Sequence, residues 1–405
     1  MIRNLKLISG LILFLFIALH LSNLAFGVFS LQLVDEIRPV LMALFSNLIG
    51  GNILIACMLL HTALGLYALY QRNTLRMSQY DAVQFASAVI IPPLLIPHVW
   101  GLIALRQLLD INPTYLDMFR AFWIDTPLDG LRQVLLVVAV WIHGCIGLFT
   151  WLRLYPWWSR ASLFAYPLAV AIPVMALLGF VAGGNHILAQ NQEGTGTEVT
   201  SPYTESAATY SDTYNDTQYG ADYSPQTVGE NGSAVDAEFQ ATIEFINRIK
   251  WQLIIGYLIL VALVLTAWWL RIRSKRDQLE VHYADGNVVT SAVGPSLLEM
   301  SNMSDIPHAN LCRGRGRCGT CRVEILYSEN TLPEPGKIEQ KTLGLKDTAS
   351  NVRLACQLNP PAGVIKIRRL MPPDMKPSTM FDEARQDPAV AGAETAQPSA
   401  PNTTA

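Results

Sequence analysis

The sequence predicts an α-helical membrane bundle of six transmembrane helices, followed by a smaller α+β domain. Hydrophobic residues make up 51% of the 405 positions and charged residues only 15%. Long apolar stretches occupy the first two thirds of the chain, whereas short alternating stretches fill residues 276–372. This composition is typical of a membrane protein with a soluble appendage. A net charge of −3 gives no reason to expect nucleic-acid binding.

Six apolar stretches are long enough to cross a bilayer, which takes about 20 residues. They run near 5–29, 48–70, 83–105, 131–152, 163–183 and 251–270. The first stretch lacks a small-residue cleavage site and is long for a signal peptide, so we expect a retained anchor. We assign residues 1–154 to a four-helix transmembrane bundle and residues 155–275 to two further transmembrane helices.

The short loops carry ten Lys and Arg residues on one side of the predicted membrane and six on the other. This bias predicts that both termini are cytoplasmic. Between the last two spans, residues 187–242 contain no Lys or Arg and are of low complexity, so we expect a disordered acidic external loop. The tail at 373–405 is rich in Ala, Pro and Thr, and we expect it to be disordered too.

Four of the six cysteines follow the spacing C-x5-C-x2-C…C. They are Cys312, Cys318, Cys321 and Cys356. A triplet in one tight loop with a distant fourth thiol is typical of a [2Fe–2S] cluster. The alternative, a zinc ribbon, normally supplies its ligands as two separated pairs. The other two cysteines, Cys57 and Cys145, lie inside apolar spans and are expected to be buried hydrophobic residues.

Short elements surround these cysteines. We predict strands at 279–283, 287–293, 322–327 and 363–369, and a short helix at 295–303. We assign residues 276–372 to this domain. Over about residues 278–372 the order resembles the β-grasp 2Fe-2S ferredoxins, and the cysteine spacing is similar to the adrenodoxin type. Four arginines lie around the cysteine loop, namely Arg313, Arg315, Arg317 and Arg322. We expect a docking face for an acidic redox protein or regulatory partner; the alternative is a solvated loop whose charge only tunes the potential.

Each of the first four spans contains one histidine well inside it. These are His20, His61, His98 and His143. A single intramembrane histidine is usually a hydrogen-bonded structural residue, but one in each of four helices is typical of axial haem ligands. Without a C-x-x-C-H motif the haem would be b-type. Depth along the spans favours the pairs His20/His98 and His61/His143; one haem with two structural histidines remains an alternative.

Several segments together suggest a family. They are Leu-His-Thr-Ala-Leu-Gly-Leu-Tyr at 60–67, Arg-Asn-Thr-Leu-Arg-Met at 72–77, Pro-His-Val-Trp-Gly at 97–101, Trp-Ile-His-Gly-Cys-Ile-Gly-Leu at 141–148 and Cys-Gly-Thr-Cys at 318–321. This arrangement resembles the regulatory half of membrane-anchored bacterial adenylate/guanylate cyclases, with a ferredoxin domain. Its anchor is similar to the cytochrome b subunits of succinate dehydrogenase and fumarate reductase. The resemblance implies a bacterial inner membrane and places a cyclase domain after the ferredoxin. Only residues 373–405 follow here, so we expect no cyclase activity from this chain.

These observations lead us to expect a membrane-bound electron-transfer protein that couples haem b to a cytoplasmic [2Fe–2S] cluster. Quinone, as quinol, is the candidate redox partner in the membrane, by analogy with the cytochrome b subunits. A quinol-linked oxidoreductase would follow from this, although no catalytic residue is assigned. The alternatives are a non-enzymatic redox-sensing module that regulates a separate partner, and a ferredoxin tethered by haem-free helices.

Overall fold

The computed structural model describes residues 2–193, 231–274, 277–344 and 349–375. Within these ranges, six helices are long and apolar enough to cross a membrane, as the sequence predicts. They are α1 (Ile2–Ala25), α3 (Leu48–Tyr70), α4 (Gln79–Leu108), α6 (Pro127–Leu152), α7 (Trp158–Glu193) and α8 (Asn231–Arg273). The predicted fold class, a helical membrane bundle followed by an α+β domain, is therefore confirmed.

Most of the long helices extend beyond the predicted apolar spans. α7 continues to Glu193 and α8 already begins at Asn231. The expected disorder is therefore wrong at 187–193 and 231–242. Polar residues with good helix propensity continue a helix once it is nucleated, and a search for apolar spans does not detect them. The rest of that loop, and the expected tail from residue 376 onward, lie outside the described residues.

Two short helices connect the long ones and were not predicted, because they are amphipathic or too short for a hydropathy window. In α2 (Leu31–Leu41), the Ser30 side chain accepts a hydrogen bond from the backbone of Leu33. α5 (Tyr115–Arg120) begins with a capping box. The backbone N–H of Tyr115 donates to Asp35 over 3.1 Å and so joins the two short helices.

The helices approach most closely where side chains are small. A Cβ atom placed on Gly179 of α7 would lie 2.2 Å from the Leu24 carbonyl oxygen of α1, so only glycine fits there. Nearby, the Trp141 indole of α6 donates to the Ala169 carbonyl of α7 over 2.7 Å. Small residues and one satisfied indole thus hold α1, α6 and α7 together.

The soluble domain is built on a five-stranded mixed sheet in the order β2-β1-β5-β3-β4. Its strands are β1 (Gln278–Tyr283), β2 (Val288–Ala292), β3 (Arg322–Ser328), β4 (Val352–Leu354) and β5 (Gly363–Arg369). β1 pairs with β5 in parallel and with β2 antiparallel, and β3 pairs antiparallel with both β4 and β5. Four of the strands were predicted with ends that differ by at most one residue; β4 was missed.

Two helices cover this sheet. α9 (Leu297–Met303) begins with a capping box between Ser296 and Glu299 and starts two residues later than predicted. α10 (Lys337–Gly344) was not predicted. Val281, Val323 and Ile367 are fully buried in the core between the sheet and these helices. Burial of this alternating apolar face positions the cysteine loop that precedes β3.

The chain forms two units by internal contacts. The first contains Met1–Leu69, Val83–Ile146 and Phe164–Leu265, and the second contains Tyr70–Ala82, Gly147–Leu163 and Thr266–Ala405. The ferredoxin-like domain thus shares its unit with two segments that connect long helices. The histidine pairs belong to the first unit and the cysteine loop to the second.

Candidate metal centres

The cysteine loop depends on residues with positive φ. Gly314, Gly316 and Gly319 have φ values of 78°, 64° and 70°, and Arg313 has a φ of 53°. A Cβ atom at Gly316 would also lie 2.8 Å from the Ile338 side chain. Glycine is therefore required at Gly316 for both backbone conformation and space. The loop directs the Arg317 backbone N–H towards Cys312 Sγ at 3.5 Å.

The four thiols form two contact pairs. Cys312 contacts Cys318, and Cys321 contacts Cys356. All four are free, and all but the half-buried Cys356 are buried. Among the described residues, no three Cys, His or acidic side chains converge on one point as a single metal ion would require. Two thiol pairs suit a cluster in which each of two irons takes two cysteines.

Hydrogen bonding makes the first pair asymmetric. The hydrogen bond from the Cys318 thiol, helped by the Arg317 backbone N–H, lowers the pKa of Cys312. The same thiol contact, together with burial, raises the pKa of Cys318. The thiolate is the form that binds a metal, and the backbone N–H groups directed at Cys312 favour that form.

Helix α10 supports the loop on the side of the fourth cysteine. Glu339 is buried, accepts two hydrogen bonds from Arg353 at 2.9 and 3.0 Å, and accepts a third from the Leu354 backbone at 2.7 Å. Thr342 donates to the Gly316 carbonyl over 2.6 Å. Thus α10 ties the cysteine loop to β4, which leads into Cys356. The Pro-Gly pair before Lys337 and the glycine at its end were the sequence signals for this helix.

A buried polar chain lies behind the third cysteine. Tyr283 Oη contacts Ser301 Oγ at 2.8 Å, and Ser301 Oγ contacts His308 Nδ1 at 3.0 Å. Burial and the nearby Arg369 lower the pKa of His308 to about 4, so this imidazole is neutral at pH 7. Its ring lies beside the backbone of Cys321. Sequence analysis did not identify His308, which lies outside the membrane spans and outside any motif.

The structure brings the four intramembrane histidines together as the two predicted pairs. The ring centroids of His20 and His98 are 6.3 Å apart, and those of His61 and His143 are also 6.3 Å apart. A metal–imidazole bond is about 2 Å long. Two imidazoles on opposite sides of one iron therefore have centroids about 6 Å apart, so both pairs have the spacing of a bis-histidine haem site.

In the pair His61/His143, the Nδ1 atom of each ring is hydrogen-bonded to a residue of a neighbouring helix. His143 Nδ1 lies 3.1 Å from the Gln84 carbonyl oxygen and 3.1 Å from Ser87 Oγ. A carbonyl can only accept, so Nδ1 carries the proton and Nε2 keeps its lone pair. His61 Nδ1 lies 3.1 Å from Ser9 Oγ, whose proton goes to a carbonyl of its own helix. The atom left free for iron is Nε2 in both residues.

The first pair has a different environment. The His20 ring stacks on Phe16 with a centroid distance of 5.7 Å and an interplanar angle of 7°. Within the described ranges, the rings of His20 and His98 make no hydrogen bond comparable to those of the other pair. The two sites are therefore chemically distinct.

A glycine lies one helical turn from a histidine in both α3 and α4. Gly65 lies four residues after His61 on α3, and Gly101 lies three residues after His98 on α4, so each shares a helix face with its histidine. A Cβ atom at either glycine would meet nothing within 4 Å. A helix face without a side chain next to an imidazole is compatible with a porphyrin ring, so these residues fit a haem.

One comparison with known proteins bears on the soluble domain. Residues 283–361, which contain all four cysteines, match the family described as the 2Fe-2S iron-sulfur cluster binding domain. The match supports a [2Fe–2S] cluster and suggests an iron–sulfur electron-transfer role. This protein therefore combines six membrane-capable helices with a domain similar to the 2Fe-2S iron-sulfur cluster binding family.

Proposed function

We propose that this chain is a membrane-bound electron-transfer protein that couples b-type haem to a cytoplasmic [2Fe–2S] cluster. The observation that carries the proposal is the 6.3 Å spacing of His20/His98 and of His61/His143, with Nε2 left free in the second pair. Four helices would each contribute one ligand, which is a common way to hold a cofactor inside a bundle.

The chain's own residues have separate roles in this proposal. The four histidines would bind the two irons, His61 and His143 through Nε2, and Ser9 and Ser87 orient the rings of that second pair. The four cysteine thiolates bind the cluster, and the Arg317 backbone N–H is directed at one of the sulfurs. When bound, haem and cluster each carry one electron at a time. The apolar helices exclude water from the histidine sites.

A membrane quinone is the proposed redox partner. Oxidation of one quinol releases two electrons and two protons, and each haem or cluster accepts one electron. The support is the resemblance of the helices to cytochrome b subunits. The excess of Lys and Arg in the loops next to the ferredoxin-like domain supports a cytoplasmic position for that domain and for both termini.

The test is a redox-difference spectrum of the purified full-length protein, with haem and non-haem iron measured per chain. Two haems and one cluster are expected. His98→Ala should remove one haem and leave the other. His186→Ala is the matched control, because that exposed histidine of α7 is hydrogen-bonded to its helix neighbour Gln190. A protein with a full cluster and no haem would overturn the haem part of the proposal.

A further inference from the structure

Two of the arginines of the cysteine loop contact a segment that connects long helices. The guanidinium of Arg313 lies over the Tyr80 ring, 4.4 Å from its centroid, and lies 3.4 Å from Thr150 Oγ1. Arg315 Nη2 lies 3.7 Å from Asp81 Oδ1. Tyr80 and Asp81 belong to the segment 70–82, and Thr150 belongs to the segment 147–163. Both segments share a unit with the ferredoxin-like domain.

Further contacts reinforce the same arrangement. Arg153 donates to the Leu311 carbonyl, one residue before Cys312. Arg76 pairs with Asp305 at 3.1 Å and donates to the Met303 carbonyl. The cysteine loop and the residues before it are therefore contacted by both segments, 70–82 and 147–163. The contacting groups are an aromatic ring, a carboxylate, a hydroxyl and guanidinium groups.

We propose that the docking partner of the cluster loop is this chain's own segment 70–82, through Tyr80 and Asp81, rather than a separate acidic protein. Docking rests on the contacts alone; its role in electron exchange with haem rests on the proposed function. The face of the cluster next to Arg313 and Arg315 is then reserved for exchange within the chain.

The charges support this assignment. Burial and the neighbouring arginines lower the pKa of Arg153, and burial lowers the pKa of Arg315 against the opposing effect of Asp81. Asp81 is the carboxylate that contacts Arg315. The Asp81 side chain is only 16% exposed, so its interaction with Arg315 is less screened than a surface pair. The Tyr80 ring adds a cation–π contact, which gains strength when the cation is partly desolvated.

Cross-linking in the full-length protein can test docking without any redox readout. Arg76→Cys and Asp305→Cys, introduced together in a Cys57→Ala/Cys145→Ala background, place two exposed thiols where an ion pair now lies. A short bismaleimide should join them, and mass spectrometry of the linked peptides reports the yield. The two new cysteines leave the contacts of Arg313 and Arg315 unchanged. The cross-link yield can therefore be used to measure the effect of mutating those contacts.

Charge exchange then isolates the proposed contact. Arg315→Asp or Asp81→Arg should each lower the cross-link yield at least about fivefold, since a charge pair contributes about 1 kcal/mol and reversal adds repulsion. The exchange Arg315→Asp/Asp81→Arg should restore it. Both Asp81→Arg and the exchanged protein lose the Ser78–Asp81 hydrogen bond at the start of α4. A higher yield in the exchanged protein than in Asp81→Arg is therefore due to the ion pair alone.

Two results would overturn the inference. One is the absence of a cross-link in the parent double-cysteine protein. The other is an equal cross-link yield in Arg315→Asp, in Asp81→Arg and in the protein with both changes. If the yields follow the expected pattern but the protein contains no haem, docking stands and the proposed function fails. The two ideas are thus separately testable.

Discussion

The backbone carbonyl of Gln84 lies 3.1 Å from Nδ1 of His143, and the Ser87 hydroxyl lies at the same distance. In the other half of the pair, Ser9 Oγ lies 3.1 Å from His61 Nδ1. These acceptors assign the proton to Nδ1 and leave Nε2 for iron. His20 and His98 lack such acceptors among the described residues, so the two proposed haems should differ in potential.

We predict that Ser9→Ala/Ser87→Ala raises the midpoint potential of one haem and leaves the other unchanged. Hydrogen bonds accepted from Nδ1–H make the imidazole a stronger donor and favour ferric iron. The variant removes the two hydroxyl acceptors and leaves the Gln84 carbonyl on His143 Nδ1. Loss of the hydroxyls should shift the potential by tens of millivolts, because a hydrogen bond contributes on the order of 1 kcal/mol. Spectroelectrochemistry measures the shift. Ser162→Ala is the control, since that hydroxyl bonds a carbonyl within α7; an unchanged potential in the double variant would contradict the assignment.

Loss of a cluster ligand should remove the cluster as a whole. We predict that Cys321→Ser abolishes the [2Fe–2S] absorbance, because each thiolate is a coordinating ligand on which the site depends. Cys57→Ser, which alters a half-buried cysteine of α3, should leave the absorbance intact. Iron and sulfide analysis of both proteins provides the measurement. A full cluster in the Cys321→Ser protein would rule out Cys321 as a ligand.

The buried ion pair behind Cys356 should matter much more than an exposed one. Glu339→Ala leaves the Arg353 guanidinium buried without its carboxylate, which should destabilise the domain by about 3–5 kcal/mol. The matched control is Glu324→Ala, which removes the more exposed Glu324–Arg368 pair and should cost at most about 1 kcal/mol. Thermal loss of cluster absorbance compares the two proteins. Equal melting temperatures would show that Glu339 does not support the site.

Electron exchange between the proposed centres can be tested through the second histidine pair. We predict that His143→Ala loses one haem and uncouples the cluster from quinol. The mutant protein is reconstituted in lipid, quinol is added, and the rate of cluster reduction is followed, with His186→Ala as control. Cluster reduction at the wild-type rate in His143→Ala would exclude this route.

The local pattern of the sequence was sufficient for much of the fold. Each apolar span predicts its own helix, and the alternating residues of β1 and β5 predict their own strands, because the signal is contained in neighbouring residues. The cysteine spacing likewise indicates the kind of centre, since three of its thiols come from one loop. The missed elements include β4, with only three residues, α10, with eight mostly polar residues, and the short connecting helices α2 and α5.

Only the tertiary structure shows which residues meet across the chain. The sequence placed one histidine in each of four helices and favoured a pairing by depth, but the acceptors on Nδ1 come from other helices and have no local signature. The same is true of two ion pairs. Glu339 and Arg353 lie 14 residues apart, and Asp81 and Arg315 belong to elements far apart along the chain. Periodicity and spacing report what a segment does by itself. Contacts between distant segments depend on how the whole chain packs, and these contacts decide the chemistry of both candidate sites.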